Sequence, residues 1–233
     1  MKLALQIKSS KTVIAITTTL IIFGAGSYLF GWSSLLTVKQ IEITGAPTLT
    51  SEKEIAKRLN LSKGDKLARV DPRALSNRLQ ISDWVESADI SRNWFNGKVV
   101  VEIQPRIPVA LYAEPGKPQV ALDASGATFI LPGELPSGLP SVTATSVASG
   151  LIAIKVFTEM PKDFSEGIDH LTASSAVNLT LDGKFDGHKL QIIWGDGQET
   201  SLKITVIKAL IQLPENKSIR LIDVTAPHAP IVK

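Results

Sequence analysis

Between Lys11 and Lys39 the chain carries no charged side chain. An uncharged run of that length restricts the fold at once, because about 20 helical residues cover the roughly 30 Å hydrocarbon core of a bilayer. Nine residues from Val13 to Trp32 are Val, Ile, Leu or Phe. At roughly −0.3 to −0.6 kcal/mol each near mid-membrane, they favour insertion by about 3 to 5 kcal/mol. One arginine at the centre would cost about 2.5 to 3.5 kcal/mol and nearly cancel that gain, so the lack of charge decides the matter. Lys2, Lys8 and Lys11 precede the run and no acidic residue comes before Glu42, which keeps the N-terminus on the cytoplasmic side. The expected layout is a cytoplasmic tail at 1–11, a single-pass transmembrane helix at 12–36 in the cell (cytoplasmic) membrane, and an extracytoplasmic remainder. A cleaved signal peptide is the competing reading, with small residues at Gly24-Ala25-Gly26. The apolar run continues through Tyr28-Leu29-Phe30 to Leu35-Leu36, longer than a signal-peptide core, and a retained anchor is preferred.

About 195 residues follow Val38, enough for two small domains or one larger one. There is no cysteine, so disulfides, thiol catalysis and cysteine-based zinc sites are excluded. Stability must come from apolar burial, which 44% hydrophobic residues can supply. The net charge of +3 is small, and without basic runs interleaved with aromatics nucleic-acid binding has no support. His170, His188 and His228 share no metal-ligand spacing. No serine sits in a Gly-x-Ser-x-Gly elbow, and Gly195-x-Gly197 is too short to cradle phosphate. Neither a catalytic group, a metal nor a cofactor is expected.

Periodicity next gives a β-α-α-β-β unit. Val38 to Thr44 alternates as a strand ended by Gly45-Ala46-Pro47. Ser51 and Glu54 read as a capping box before a short helix with Ile55 and Leu59. Asp71-Pro72 supplies an N-cap and a first-position proline for a second helix carrying Leu75 and Leu79. Trp84 to Arg92 and Lys98 to Gln104 read as strands joined through Asn96-Gly97. The proline-rich stretch from Pro132 to Pro140 reads as a surface loop. Helices are then expected at Val147 to Met160 and Ser201 to Leu213. Strands are expected at Ile168 to Ala176, Val177 to Phe185, Lys189 to Trp194 and, last, Ser218 to Val224, with turns at Asp182-Gly183 and Asp186-Gly187. The fold class is α+β: a helical anchor, a small β-α-α-β-β domain, and a mostly antiparallel β domain with flanking helices.

Several segments carry a resemblance. Val38-x-x-Ile41-x-Ile43-x-Gly45, Gly64-Asp65-Lys66-Leu67, Trp84-Val85-x-x-Ala88-x-Ile90-x-Arg92-x-Trp94 and Arg106-Ile107-Pro108-Val109-Ala110 resemble the POTRA domain of the FtsQ/DivIB family of bacterial cell-division proteins. Leu122 to Gly126 with Phe129, and Ile222-Asp223-Val224-x-x-Pro227-x-x-Pro230, are similar to that family's later landmarks. Two departures stand out: Phe95 where the family usually has proline, and Gln104-Pro105 where a glutamate is more usual before Arg106. The resemblance implies a POTRA domain at 37–108, an FtsQ-type β domain at 109–225 and a tail at 226–233. It further implies a non-enzymatic scaffold of the division septum that binds small coiled-coil partners like FtsB and FtsL and meets other division proteins, including the septal peptidoglycan synthase. By position, the implied contact strand is Ser218, Ile219, Arg220, Leu221, Ile222, Asp223, Val224 and Thr225. An edge strand offers unpaired N–H and C=O groups that another chain can extend. The alternative is a POTRA module that chaperones exported polypeptides, but only about 120 residues follow Ala110, without the repeated strands of a barrel. An exported hydrolase lacks any catalytic constellation.

Overall fold

The computed structural model describes residues 10–31 and 36–233. The chain divides into two compact units, 1–105 and 106–233. The first opens with α1 (Ser10–Gly31). Along it Ile14, Leu20, Ile21 and Phe23 are each more than half exposed. The hydroxyls of Thr17 and Thr19 donate to the Val13 and Ala15 carbonyls at 2.9 and 2.8 Å, so their polarity is spent inside the helix. Among the described residues no helix is long and apolar enough to cross a membrane. The expected span at 12–36 includes 32–35, and most of the expected tail is 1–9; both lie outside the described residues.

The rest of this unit is β1 (Gln40–Thr44), α2 (Leu49–Leu59), α3 (Pro72–Leu79), β2 (Val85–Asn93) and β3 (Lys98–Pro105). The strand order is β1-β3-β2, with β1 parallel to β3 and β2 antiparallel to it. The two helices connect the end of β1 to the start of β2, and β2 then carries the chain back to the end where β1 began, so that β3 runs parallel to β1. Ile55, Leu59, Leu67 and Leu79 from the helical layer bury against Ile90, Val99 and Val101 of the sheet. The N-cap of α2 is Thr48 and not Ser51. Thr48 Oγ1 accepts the Ser51 N–H at 3.1 Å and Ser51 Oγ accepts the Thr48 N–H at 2.9 Å, so the reciprocal box closes with serine at the third helical position and Glu54 takes no part in it. Asp71 caps α3 through the Arg73 and Ala74 N–H groups, with Pro72 opening the helix. Gly45 at φ +82° ends β1 where a Cβ would sit 1.9 Å from the Ile103 carbonyl oxygen.

The second unit is one mixed sheet of nine strands. They are β4 (Pro108–Ala113), β5 (Val120–Asp123), β6 (Thr128–Phe129), β7 (Ser141–Ala144), β8 (Ile168–Ser175), β9 (Asn178–Phe185), β10 (His188–Gly195), β11 (Leu221–Asp223) and β12 (Ile231–Val232). Their order is β12-β11-β10-β9-β8-β7-β4-β5-β6. Helices α4 (Val147–Glu159), α5 (Lys162–Ser165) and α6 (Thr200–Gln212) fill the connections. The sheet is less antiparallel than the sequence suggests: β4/β7, β7/β8 and β10/β11 are parallel. Two of these junctions follow from the crossovers through α4 and α6, which reverse the chain twice. Leu171, Leu181, Ile192 and Trp194 from the sheet and Ile154, Val156, Ile204 and Ile207 from the helices share one core. The expected turn at Asp182-Gly183 is strand: Gly183 pairs with both Ile168 and Leu190. Glycine is required there because a Cβ would lie 2.1 Å from the Gly167 carbonyl oxygen. The turn between β9 and β10 is Asp186-Gly187, both at positive φ.

Candidate partner-binding edge

The strand expected to be terminal is shorter than its apolar alternation suggests, and it is not at the edge. Leu221–Asp223 pairs in parallel with Gln191–Ile193 of β10, and Gln191 N–H and Val224 N–H extend the ladder to Arg220 O and Ile193 O at 2.9 Å each. On its other side β12 pairs with it antiparallel, Ile222 opposite Val232 and Asp223 opposite Ile231. Arg220 and Leu221 N–H donate to Lys233 O at 2.8 and 3.0 Å, and Lys233 N–H returns to Leu221 O at 2.9 Å. The outer backbone edge of Arg220 to Asp223 is therefore paired with the chain's own 231–233. The sheet edge is β12, inside the segment 226–233 read from sequence as a tail. The signal for it was present but short: one apolar pair, Ile231-Val232, bracketed by Pro230 and Lys233.

Side chains on this edge divide by burial. Ile222 and Val224 are fully buried and belong to the core. Leu221 and Asp223 are half-buried, while Ser218, Arg220 and Thr225 are exposed. Ile219 sits outside the strand, in a turn closed by its N–H on Asn216 O at 3.2 Å, and packs against the core cluster. The Asp223 carboxylate accepts from Thr225 N–H and Oγ1 at 2.9 and 2.8 Å, which bends the chain out of β11. Ile231 of β12 is 54% exposed. Beside the start of β11 lies a shallow cleft of about 240 Å³ whose lining includes Lys189, Lys217, Ser218 and Arg220. A neighbouring one of about 330 Å³ has Phe185, Leu190, Ile211 and Ile219 among its walls. Cationic rim and apolar floor together suit an acidic, amphipathic segment.

The support beneath this edge is α6 and the turn that precedes it. Lys203 is 1% exposed. Its ammonium donates to the Asp196 carbonyl at 3.0 Å and carboxylate at 3.1 Å and lies 5.4 Å from the centre of the Trp194 ring. The Gln198 N–H, followed by Lys203, holds the Asp196 carboxyl below its ordinary pKa. Gly195-Asp196-Gly197 is thus a turn fixed by a buried cation.

Elsewhere, Ser141 Oγ and His170 Nδ1 lie 2.9 Å apart, and Gln119 Nε2 also donates to that hydroxyl at 2.9 Å. The Ser141–His170 contact joins parallel β7 and β8. His228 lies 3.6 Å from Glu199, and both are exposed. Among the described residues no three His, Asp or Glu side chains converge into a group that could hold a metal ion.

The family model for the POTRA domain, FtsQ-type, matches residues 36–106, the stretch that folds as the β-α-α-β-β sheet. The chain carries an FtsQ-type POTRA domain. It is also similar to the cell division protein FtsQ of Mycobacteroides abscessus, 28% identical over 95% of this chain and 69% of that protein. Similarity to the cell division protein FtsQ of Rhodothermus marinus is 29% over 41% of this chain and 34% of that one. The likeness to the first reaches past the POTRA domain into the nine-stranded sheet, so both units of this FtsQ-like chain fall within it.

Proposed function

We propose that this FtsQ-like chain is a non-enzymatic scaffold of the bacterial division septum, anchored by a single membrane pass at 12–36 with its N-terminus in the cytoplasm. The POTRA domain gathers other division proteins, the septal peptidoglycan synthase among them. Small coiled-coil partners of the FtsB and FtsL kind add as a strand at the sheet edge, β12, beside the exposed and half-buried side chains of the stretch from Ser218 to Thr225. The observation that carries the reading is the coincidence of an exposed, short edge strand with a cationic cleft at Lys189, Lys217 and Arg220. The uncharged, mostly apolar exposed surface of α1 over 13–28 supports the anchor, since such a surface favours a cover. Two partners confined to one membrane meet at raised effective concentration, so individually weak contacts suffice.

Co-purification from membranes of the full chain with FtsB-like and FtsL-like partners tests this. Lys217→Glu with Arg220→Glu reverses the cleft's charge on exposed residues and is expected to lose the partners while thermal unfolding stays unchanged. Leu221→Asp does the same from a half-buried position, whereas Ile222→Asp is unsuitable because that side chain is core. Undiminished capture by both variants would refute the edge assignment. An even membrane distribution of a fluorescent fusion in dividing cells would refute the septal role.

A further inference from the structure

Phe95 is the one large hydrophobic side chain that is wholly exposed among the described residues, at 100%. It stands at the tip of the β2–β3 hairpin, which is closed by a set of local hydrogen bonds. Asn93 Oδ1 accepts the Phe95 and Asn96 N–H groups at 3.0 and 3.3 Å, Asn93 O accepts Gly97 N–H at 2.9 Å, and Asn96 Oδ1 accepts Lys98 N–H at 3.0 Å. Gly97, at φ +73°, lets the tip close against the chain that enters the domain. Its carbonyl accepts Lys39 N–H at 2.8 Å, and a Cβ on it would meet the Thr37 carbonyl oxygen at 2.6 Å. Because β1 is parallel to β3 with Gln40 opposite Lys98, the tip lies at the end of the domain where the chain arrives from α1.

A second loop gathers at that end. Val38 N–H donates to Asp65 O, Gly64 N–H to Val38 O and Leu67 N–H to Leu36 O, at 2.8, 2.8 and 3.1 Å. This loop and the 3₁₀ turn after it carry Lys63, Lys66 and Arg69. Its acid, Asp65, accepts the Ser62 N–H at 2.7 Å. Gly31 and Leu36 can be no more than about 18 Å apart even along a fully extended chain, and the end of α1 approaches the 3₁₀ turn.

We infer that this end of the POTRA domain docks on an anionic bilayer surface, Phe95 entering the boundary between headgroups and acyl chains while Lys39, Lys63, Lys66 and Arg69 face the headgroups. A single exposed hydrophobic residue is ordinary by itself. Here it is displayed by a turn that satisfies the Phe95, Asn96, Gly97 and Lys98 N–H groups, and it shares the end of the domain where the chain arrives from α1 with Lys39 and the loop that carries Lys63 and Lys66. Apolar insertion combined with basic flanks is the chemistry of interfacial membrane binding. The inference rests on the reading that α1 is membrane-embedded, and it adds that the domain is held against the surface instead of swinging free of it.

The chain has no cysteine, so spin labels can be placed singly. Full-length Ile21→Cys, Phe95→Cys and Ser87→Cys are reconstituted in vesicles of phosphatidylglycerol and phosphatidylcholine, and the accessibility of each label to oxygen and to a water-soluble nickel complex is compared. Labels at 21 and 95 are expected within the bilayer and its boundary, and the label at 87 in water. A lipid-exposed label at 21 with a water-exposed label at 95 overturns the inference and leaves the membrane reading intact. A water-exposed label at 21 overturns both. Burial of the label at 87 as well refutes docking through the tip. With native Phe95, amide exchange over 93–97 is expected to be several-fold slower in those vesicles than in pure phosphatidylcholine; equal rates overturn the electrostatic part.

Discussion

Asp196→Ala should destabilise the second unit more than Lys203→Met, although the two residues share one contact. With the carboxylate gone, an ammonium that is 1% exposed keeps only the Asp196 carbonyl at 3.0 Å and the Trp194 ring face. Breaking a buried ion pair in this way costs about 3 to 5 kcal/mol, and the surviving carbonyl places this case near 3 kcal/mol. Removing the lysine is cheaper. The Asp196 side chain is 38% exposed, so water takes over its solvation, while methionine fills the vacated slot and sets its sulfur against the tryptophan ring. A loss of about 1 kcal/mol is expected, the net worth of an ordinary hydrogen bond. The double variant should be about 2 kcal/mol more stable than Asp196→Ala, because the stranded charge is removed. Hydrogen exchange of α6 and β10 amides in the full chain under rising urea reads these free energies locally. The reasoning fails if Lys203→Met costs as much as Asp196→Ala, or if the second substitution gives no rescue.

Four further expectations concern Asp123, Gly183 and Gly187. Asp123, 7% exposed, accepts from Arg106, from Ser125 N–H and Oγ and from Ala127 N–H at 2.6 to 2.9 Å; Asp123→Ala should cost about 3 kcal/mol by equilibrium unfolding, since bonds to a charged acceptor are the stronger kind. Burial pushes the Asp123 carboxyl up, but hydrogen bonds from Ser125, Arg106 and Ala127 outweigh it and its pKa is lowered. Its stabilisation is therefore fully present above the unfolded carboxyl value of about 3.9 and is lost as pH falls through the lower folded value, so the gap between wild type and Asp123→Asn should narrow only below about pH 4. Gly183→Ala drives a Cβ into the Gly167 carbonyl at 2.1 Å and should cost 3 kcal/mol or more, at about the upper end of overpacking. Gly187→Ala, at φ +82° with nothing within 4 Å, should lose only about 1 to 2 kcal/mol in the same unfolding assay, the cost of a left-handed residue with a Cβ.

How far each feature was legible depends on the range of the interactions behind it. Asp71-Pro72 marks a helix start because cap and first turn are adjacent in sequence. Leu171, Leu181, Ile192 and the α4 stripe declare the core of the second unit through periodicity alone. The first cap was misplaced by three residues because Thr48 and Ser51 are both good cap residues, and only the backbone angle at Thr48, φ −140°, separates Ncap from the third helical position. Strands β4 to β7 are two to six residues long and lean on neighbours far away in sequence, too short for alternation to show. At the candidate site, the apolar residues on both faces of Ser218 to Val224 fitted a strand covered or completed by something; the strand is Leu221–Asp223, with Ile222 buried and Leu221 half-buried, and the segment that completes its edge was not legible.

The amino-acid order by itself determined the uncharged segment, the absence of thiol chemistry and the β-α-α-β-β unit that opens just after Val38, because each depends on composition or on contacts within one turn or one hairpin. Tertiary structure alone decided that β1 lies parallel to β3, which brings Phe95 and Gly97 beside Lys39 at one end of the domain. It also decided that Ile231–Lys233 occupies the edge of Leu221–Asp223. Register between distant strands is set by which backbone groups and apolar faces meet after collapse, and no local pattern in either segment encodes its partner.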